Sequence, residues 1–266
     1  MNNLLKSFNE GSLIDAITQA QSQLKTQPQN ERFRFLLVQL YLLNHQYEKA
    51  MVHLNLLEKA AAKNLERAFS IHCYQKMTAA LDSRYRFFHE KKMVEVDATS
   101  LSVPATEVLL KRLMGDQQQS DNSEEQDRSL LLTLDRTDGV QFSGEAFDPD
   151  DLLHGYLECI SQQGNYRLCA IENLESIVFE TPTKPLDCLL QRVHLKWKQT
   201  NEGLPETETL LHINHYPFTQ EGLIDLNTTD WDDKIVPNLV VGIGQKVISV
   251  NDDVIPVSQI QRIRFG

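Results

Sequence analysis

Apolar residues recur at helical spacing through residues 32–57. Two runs at three- and four-residue intervals flank three polar residues, Asn44, His45 and Gln46. The runs comprise Leu36, Leu37, Leu40, Tyr41 and Leu43, then Tyr47, Ala50, Met51, Leu54 and Leu57. Three polar residues are enough for a turn between antiparallel helices. The pattern therefore predicts a helical hairpin, and a hairpin with so much apolar surface needs further helices to cover it.

The preceding segment has the same spacing of small and large residues. A shift of 34 residues places Ala16 on Ala50 and Ala20 on Leu54, as in the second helix of a tetratricopeptide repeat (TPR). Pro28 follows where such a repeat usually ends. We therefore predict a TPR-like N-terminal domain. An ordinary helical bundle without repeat ancestry is the alternative, because amphipathic helices often match by chance.

The apolar period shortens from about residue 129, which indicates strands. Turn residues separate the strand-like segments, so the sequence predicts a mostly antiparallel sheet. The predicted strands cover residues 129–135, 140–142, 166–171, 176–179, 189–197, 208–216, 239–249 and 260–265. The fold class that follows is α+β.

One helix is predicted within this second half, over residues 148–160. Asp148 is a suitable N-cap, Pro149 suits the first helical position, and Asp150 and Asp151 are acidic residues in the first turn. The apolar residues that follow, from Leu152 to Ile160, complete the helical pattern.

A change in composition predicts a boundary between two domains. Residues 116–128 contain no large apolar residue and many acidic ones, as in a solvated linker. We therefore predict a helical TPR-like domain at 1–115, an acidic linker at 116–128 and an α+β domain at 129–266. Residues 1–115 have a net charge of +4. The acidic segment at 116–128 is either a simple loop or an acidic docking motif.

The total charge and the cysteines limit the classes of partner. A net charge of −11 argues against binding to nucleic acid or to an anionic membrane surface. The four cysteines are widely spaced and lack a CxxC pair, which indicates reduced thiols. No stretch reaches 18 apolar residues and the N-terminus does not resemble a signal peptide, so a cytoplasmic protein is expected.

Motifs for catalysis, cofactors or metals are lacking. His212 and His215 are three residues apart on a predicted strand, so they point to opposite faces and suit no shared metal. The GxG of Gly242 and Gly244 lacks a third glycine and a following helix. No serine lies in a GxSxG motif. We expect a protein without enzymatic activity, cofactor or metal.

Several segments together resemble the ImpE family, also called TagJ. The hairpin resembles the family's N-terminal segment, with matches at Arg34, Glu48, Lys49, Ala50 and Leu54. The similar segments of the second half are FDPDDLLHGYLECI, GNYRLCAIENLESIVFETPTKPLDCLL, the TDW at 229–231 and GIGQKVISVNDDVIPVSQIQRIRF. The chain departs from the family pattern at Leu189, where a tryptophan is usual, and in the LLHINHY strand.

This resemblance implies an accessory protein of bacterial type VI secretion. Relatives bind the small subunit of the contractile sheath, so the resemblance implies a non-enzymatic adaptor that holds a helical segment of that subunit. The alternative is a cytosolic enzyme or ligand-binding protein with its site in the C-terminal domain. An elongated apolar groove in the helical part would favour the adaptor, and a closed pocket with convergent polar groups in the second half would favour the alternative.

A candidate binding surface follows from the geometry of stacked helix pairs, in which the first helix lines the concave side. The partner-binding residues that this geometry predicts are Arg32, Phe35, Gln39, Leu42, Leu43, Phe69 and Cys73. An aromatic ring and two leucines flanked by arginine suit an amphipathic helix. The alternative is that the apolar residues among them are ordinary core residues.

Overall fold

The computed structural model describes residues 13–92, 102–115, 130–198, 205–218 and 228–266, with backbone alone at 102–104. Within these residues five helices come first: α1 (Leu13–Thr26), α2 (Glu31–Leu43), α3 (Tyr47–Ala60), α4 (Leu65–Glu90) and α5 (Ser102–Met114). The predicted linker at 116–128 lies outside the described residues. None of the described helices is long and apolar enough to cross a bilayer.

The predicted helical hairpin is confirmed. The Asn30 side chain caps α2 by accepting hydrogen bonds from the backbone N–H groups of Arg32 and Phe33. The helix ends at Leu43, and His45 adopts a positive φ of 53° in the turn before α3. Successive helices from α1 to α4 pack against each other, and Ala50 is completely buried. The relationship to TPR repeats stays a prediction.

Twelve strands follow the helices in the described part of the chain. They are β1 (Leu130–Arg136), β2 (Gln141–Phe147), β3 (Tyr156–Ile160), β4 (Tyr166–Ala170), β5 (Leu174–Phe179), β6 (Leu190–Trp197), β7 (Thr207–Ile213), β8 (Thr229–Asp232), β9 (Val241–Gly244), β10 (Val247–Val250), β11 (Asp253–Pro256) and β12 (Ile260–Phe265). Ten form one sheet in the order β11-β10-β2-β1-β12-β5-β6-β7-β3-β4, and β8 pairs with β9. Every pair of neighbouring strands is antiparallel, which confirms the predicted α+β class.

The helix predicted at residues 148–160 is wrong. Residues 151–155 form turns, and Tyr156–Ile160 is the strand β3. Asp150 does accept a hydrogen bond from the Leu153 backbone N–H, as an N-cap would, but Gly155 then adopts a φ of +84°. All four residues from 157 to 160 are buried, so both faces of β3 are covered and its sequence shows no alternation.

The strand predicted at 239–249 is also wrong as a single element. It is divided between β9 of the small sheet and β10 of the large one. Gly244 has a φ of +81° where the first of these strands ends, and Gln245 and Lys246 then lead into β10. The sequence pattern missed the division because both parts are apolar.

Helices and sheet share one buried apolar cluster. Leu109 and Leu113 of α5 and Phe87 and Phe88 of α4 belong to the same cluster as Tyr166 of β4. Helices α4 and α5 both pack against β4, the last strand of the large sheet. A second cluster lies between strands of the sheet. The domain limits at 1–115 and 129–266 stay a prediction about folding units.

Candidate functional site

A groove of about 630 Å³ lies between the helices α2 and α4 and residues 183–185 of the sheet half. Its lining combines apolar side chains with charged ones from three separate parts of the chain. The lining residues are Glu31, Arg32, Phe35, Leu36, Gln39, Leu57, Arg67, Ser70, Ile71, Thr183, Lys184 and Pro185. The groove is therefore suited to a partner that has both apolar and polar groups.

Three of the seven predicted partner-binding residues line this groove: Arg32, Phe35 and Gln39. Phe35 also packs edge-on against Tyr74, with 4.7 Å between the ring centroids. Because these three residues lie three and four positions apart on α2, they share one face of that helix. This face of α2 lines the groove, and its role in partner binding stays a prediction.

The other four predicted residues lie elsewhere. Leu42 and Leu43 have no exposed surface and belong to the core. Phe69 is 68% exposed but does not line the groove, and the half-buried Cys73 does not line it either.

Helix α4 instead contributes Arg67, Ser70 and Ile71 to the groove. Arg67 lies two positions before Phe69, and Ile71 lies two positions before Cys73. Two positions correspond to roughly 200° of rotation about the helix axis. The i, i+4 spacing of Arg67 and Ile71 is the sequence signal that could have identified this face of α4. The contribution of residues 183–185 had no local signal, because they come from the distant sheet half.

Two polar features distinguish the groove from ordinary core. Arg67 forms an ion pair with Glu31 at the rim, where both side chains are partly exposed. Gln39 is only 7% exposed, and its Oε1 has no hydrogen-bond partner within the described residues. A buried acceptor without a donor costs about 1–3 kcal/mol, so a partner that supplied the donor would gain from this position.

A second cavity, of about 400 Å³, lies within the sheet. Eight of the ten strands of the large sheet contribute lining residues, from β10 near one edge to β4 at the other. The sheet must therefore curl around the cavity. Ile177, Ile263 and Leu132 are among its apolar walls, and its buried or half-buried polar groups include Asp148, His212 and Lys246.

Lys246 belongs to a buried ionic cluster centred on Glu158. The carboxylate of Glu158 accepts hydrogen bonds from Arg84 Nε (2.6 Å) and Nη2 (2.7 Å), Tyr166 O–H (2.6 Å) and Lys246 Nζ (2.7 Å). Arg84 Nη2 also donates to the His215 carbonyl at 2.9 Å. Burial favours the neutral form of Glu158, but the charges of Arg84 and Lys246 outweigh it and hold the pKa of Glu158 below its usual range.

This cluster links parts of the chain that are far apart in sequence. Arg84 is on α4, Glu158 on β3, and Lys246 between β9 and β10, so one carboxylate joins three separate parts of the fold. Four hydrogen bonds occupy the carboxylate, which leaves little capacity to accept a proton from a substrate. Within the described residues, no three histidine, cysteine, aspartate or glutamate side chains converge as metal ligands.

Two aspartates next to the cluster have raised pKa values. Burial raises the pKa of Asp148 to about 6. Burial and then the charge of Asp148 raise the pKa of Asp150 to about 7. Asp150 accepts hydrogen bonds from the backbone N–H groups of Gly242 (2.6 Å) and Leu153 (2.5 Å), so it fixes the turn before β3 to the strand β9.

The part of the chain that contains Glu158 resembles a known protein family. Residues 140–264 match the ImpE protein family. The resemblance to ImpE expected from the sequence is thereby confirmed. The ImpE-matching region contains Glu158, Lys246, Asp148 and His212, and therefore most of the sheet cavity. Arg84 and the helical walls of the groove lie outside it.

A solved structure resembles this protein in fold over nearly the whole length of both chains. The crystal structure of protein VPA1032 from Vibrio parahaemolyticus superimposes with a TM-score of 0.78 at 20% sequence identity. The match covers 99% of this chain and 97% of that one, so the likeness in fold includes the helices that precede the ImpE-matching region. No curated protein matches the sequence.

Proposed function

We propose that this chain is a non-enzymatic accessory protein of bacterial type VI secretion. In this proposal it is an adaptor in the cytoplasm that binds a helical segment of the small subunit of the contractile sheath. The ImpE match of residues 140–264 supports the assignment to secretion. The groove between α2 and α4 supports the mode of binding.

The single observation that carries the binding mode is the side-chain carbonyl of Gln39, whose Oε1 has no hydrogen-bond partner within the described residues, beside an apolar groove. Phe35, Leu36 and Ile71 offer apolar surface beside it. An amphipathic helix buries apolar side chains at three- and four-residue spacing, and a polar side chain among them can supply the hydrogen bond that Gln39 Oε1 lacks. The proposed occupant therefore has an apolar stripe with one donor in it.

The charges at the rim favour an acidic helix. Three basic residues, Arg32, Arg67 and Lys184, line the groove with a single acidic residue, Glu31. Glu31 pairs with Arg67 and Asp187 lies 3.8 Å from Lys184, so the excess of positive charge at the rim is centred on Arg32, although the whole chain carries a net charge of −11. This local excess favours an approaching acidic segment and selects against a basic one.

The test is capture of the purified small sheath subunit by the full chain and by two groove variants. Phe35→Ala removes an aromatic surface, and Gln39→Leu removes the amide while keeping an apolar side chain of similar length. Both variants are expected to lose at least ten-fold in affinity by isothermal titration calorimetry. Gln39→Leu is also expected to melt no lower than the wild type, since it removes an unsatisfied polar group.

The matched control is Phe69→Ala, because Phe69 is exposed on α4 but does not line the groove. It should bind like the wild type. Circular dichroism establishes that each variant is folded. Unchanged affinity in folded Phe35→Ala and Gln39→Leu would refute the groove as the binding site, and no capture by the wild type would refute the partner.

A further inference from the structure

The sheet cavity has the shape of a small-molecule site. Its volume of about 400 Å³ falls in the range of ligand pockets, which extends from roughly 300 to 1,000 Å³. Exposed lining residues, Phe147, Gly155 and Glu172, mark its mouth. The buried His212 and Lys246 mark its deep end, and apolar side chains lie between.

The hydrogen bonds around His212 fix its tautomer. The Asn214 side-chain Nδ2 donates to the Asp187 carbonyl (3.2 Å) and to Gln191 Oε1 (3.1 Å). Asn214 Oδ1 therefore faces His212 Nδ1 at 2.7 Å, and this contact requires a proton on Nδ1. Burial and then the charge of Lys246 lower the pKa of His212 to about 3, so the ring is neutral and Nε2 is an acceptor.

Lys246 supplies the complementary donor. Its ammonium group has three hydrogens, and one is used in the 2.7 Å bond to Glu158. An acceptor at the deep end of the cavity can therefore bind Lys246 while a donor binds His212. A hydroxyl group has both capabilities on one oxygen.

The local charges favour a neutral ligand. The four charged residues that line the cavity are two cations, Arg112 and Lys246, and two acids, Asp148 and Glu172, and behind them Arg84 pairs with Glu158. An anionic ligand would add an unbalanced charge in a buried site, which is costly. The apolar walls also favour a body without charge.

We propose that the sheet cavity binds a neutral amphipathic alcohol or phenol. Its apolar body lies between the strands, and its hydroxyl group donates to His212 Nε2 and accepts from Lys246 Nζ. This site is separate from the groove between α2 and α4, and it does not depend on the identity of the protein partner.

A matched pair of probes tests the role of the hydroxyl group. The probes are 2-naphthol and 2-methoxynaphthalene, which have the same ring system and differ in the ability to donate a hydrogen bond. Titration calorimetry with the full chain is expected to give one molecule of 2-naphthol per chain, bound at least ten-fold more tightly than 2-methoxynaphthalene. Absence of 2-naphthol binding overturns the site, and equal affinities overturn the assigned hydrogen bonds.

Two variants test whether the probe occupies this cavity. Ala170→Trp places a large ring at a half-buried position of the lining, and Ala146→Leu fills space at a buried one. Both are expected to lose at least ten-fold in affinity for 2-naphthol. The matched control, Ala79→Trp on the exposed side of α4, should bind like the wild type. Undiminished binding by either cavity variant, once folded, would place the probe elsewhere and overturn the proposal.

Discussion

Replacing Glu158 by glutamine should destabilise the fold far more than the same change on the surface. Glu158 has no exposed surface, and its partner Arg84 is only 3% exposed. Glutamine has the same shape but no charge, so the buried cations Arg84 and Lys246 would lose the carboxylate that both of them bind. Its amide N–H₂ would also face donors, since the Glu158 carboxylate accepts bonds from three side chains.

The expected loss is about 3–5 kcal/mol of the free energy of unfolding, which is typical of breaking one side of a buried ion pair. Urea denaturation followed by circular dichroism measures it. The matched control is Glu175→Gln, which breaks the exposed pair with Lys196 and should leave the denaturation midpoint unchanged. A midpoint shift for Glu158→Gln no larger than that of the control would refute this account of the cluster.

Three further predictions concern packing, pH and chain organisation. Ala50→Leu should cost about 1–3 kcal/mol because Ala50 is completely buried, whereas Ala79→Leu at an exposed site should leave the melting temperature unchanged. The pKa of Asp150 is raised to about 7, so folding favours its protonated form. The free energy of unfolding should therefore fall as pH rises from about 4 through 7. Urea denaturation midpoints across this range should fall less steeply in Asp150→Asn than in the wild type. Limited proteolysis should cleave first within residues 116–128, because that sequence lacks large apolar residues; first cleavage within α4 would contradict the proposed domain limits.

The local pattern of apolar residues predicted most of the helices and strands. The hairpin of α2 and α3 was predictable because apolar residues recur at three- and four-residue spacing on both sides of a short polar break. The strand β3 was not, because it is buried on both faces and follows a segment that resembles a helix start. Burial on both faces removes the alternation on which strand prediction depends.

The two candidate sites were predictable to different degrees. Arg32, Phe35 and Gln39 lie on one helix face, so their shared exposure to the groove followed from spacing. The ionic cluster had no such signal, because Glu158 is 74 positions from Arg84 and 88 from Lys246. The hydroxyl-binding arrangement at His212 likewise depends on which strands are neighbours in the sheet.

The groove between α2 and α4 has a third wall at residues 183–185, which belong to the sheet half of the chain. A molecule bound in the groove therefore contacts both the helices and the sheet half of the chain. A ligand that binds only the folded protein stabilises it by an amount that grows with the logarithm of the ligand concentration, about 2.7 kcal/mol at a hundred times its dissociation constant. Occupation of the groove would therefore add to the contacts that the shared apolar cluster and the Arg84–Glu158 ion pair already make between the helices and the sheet.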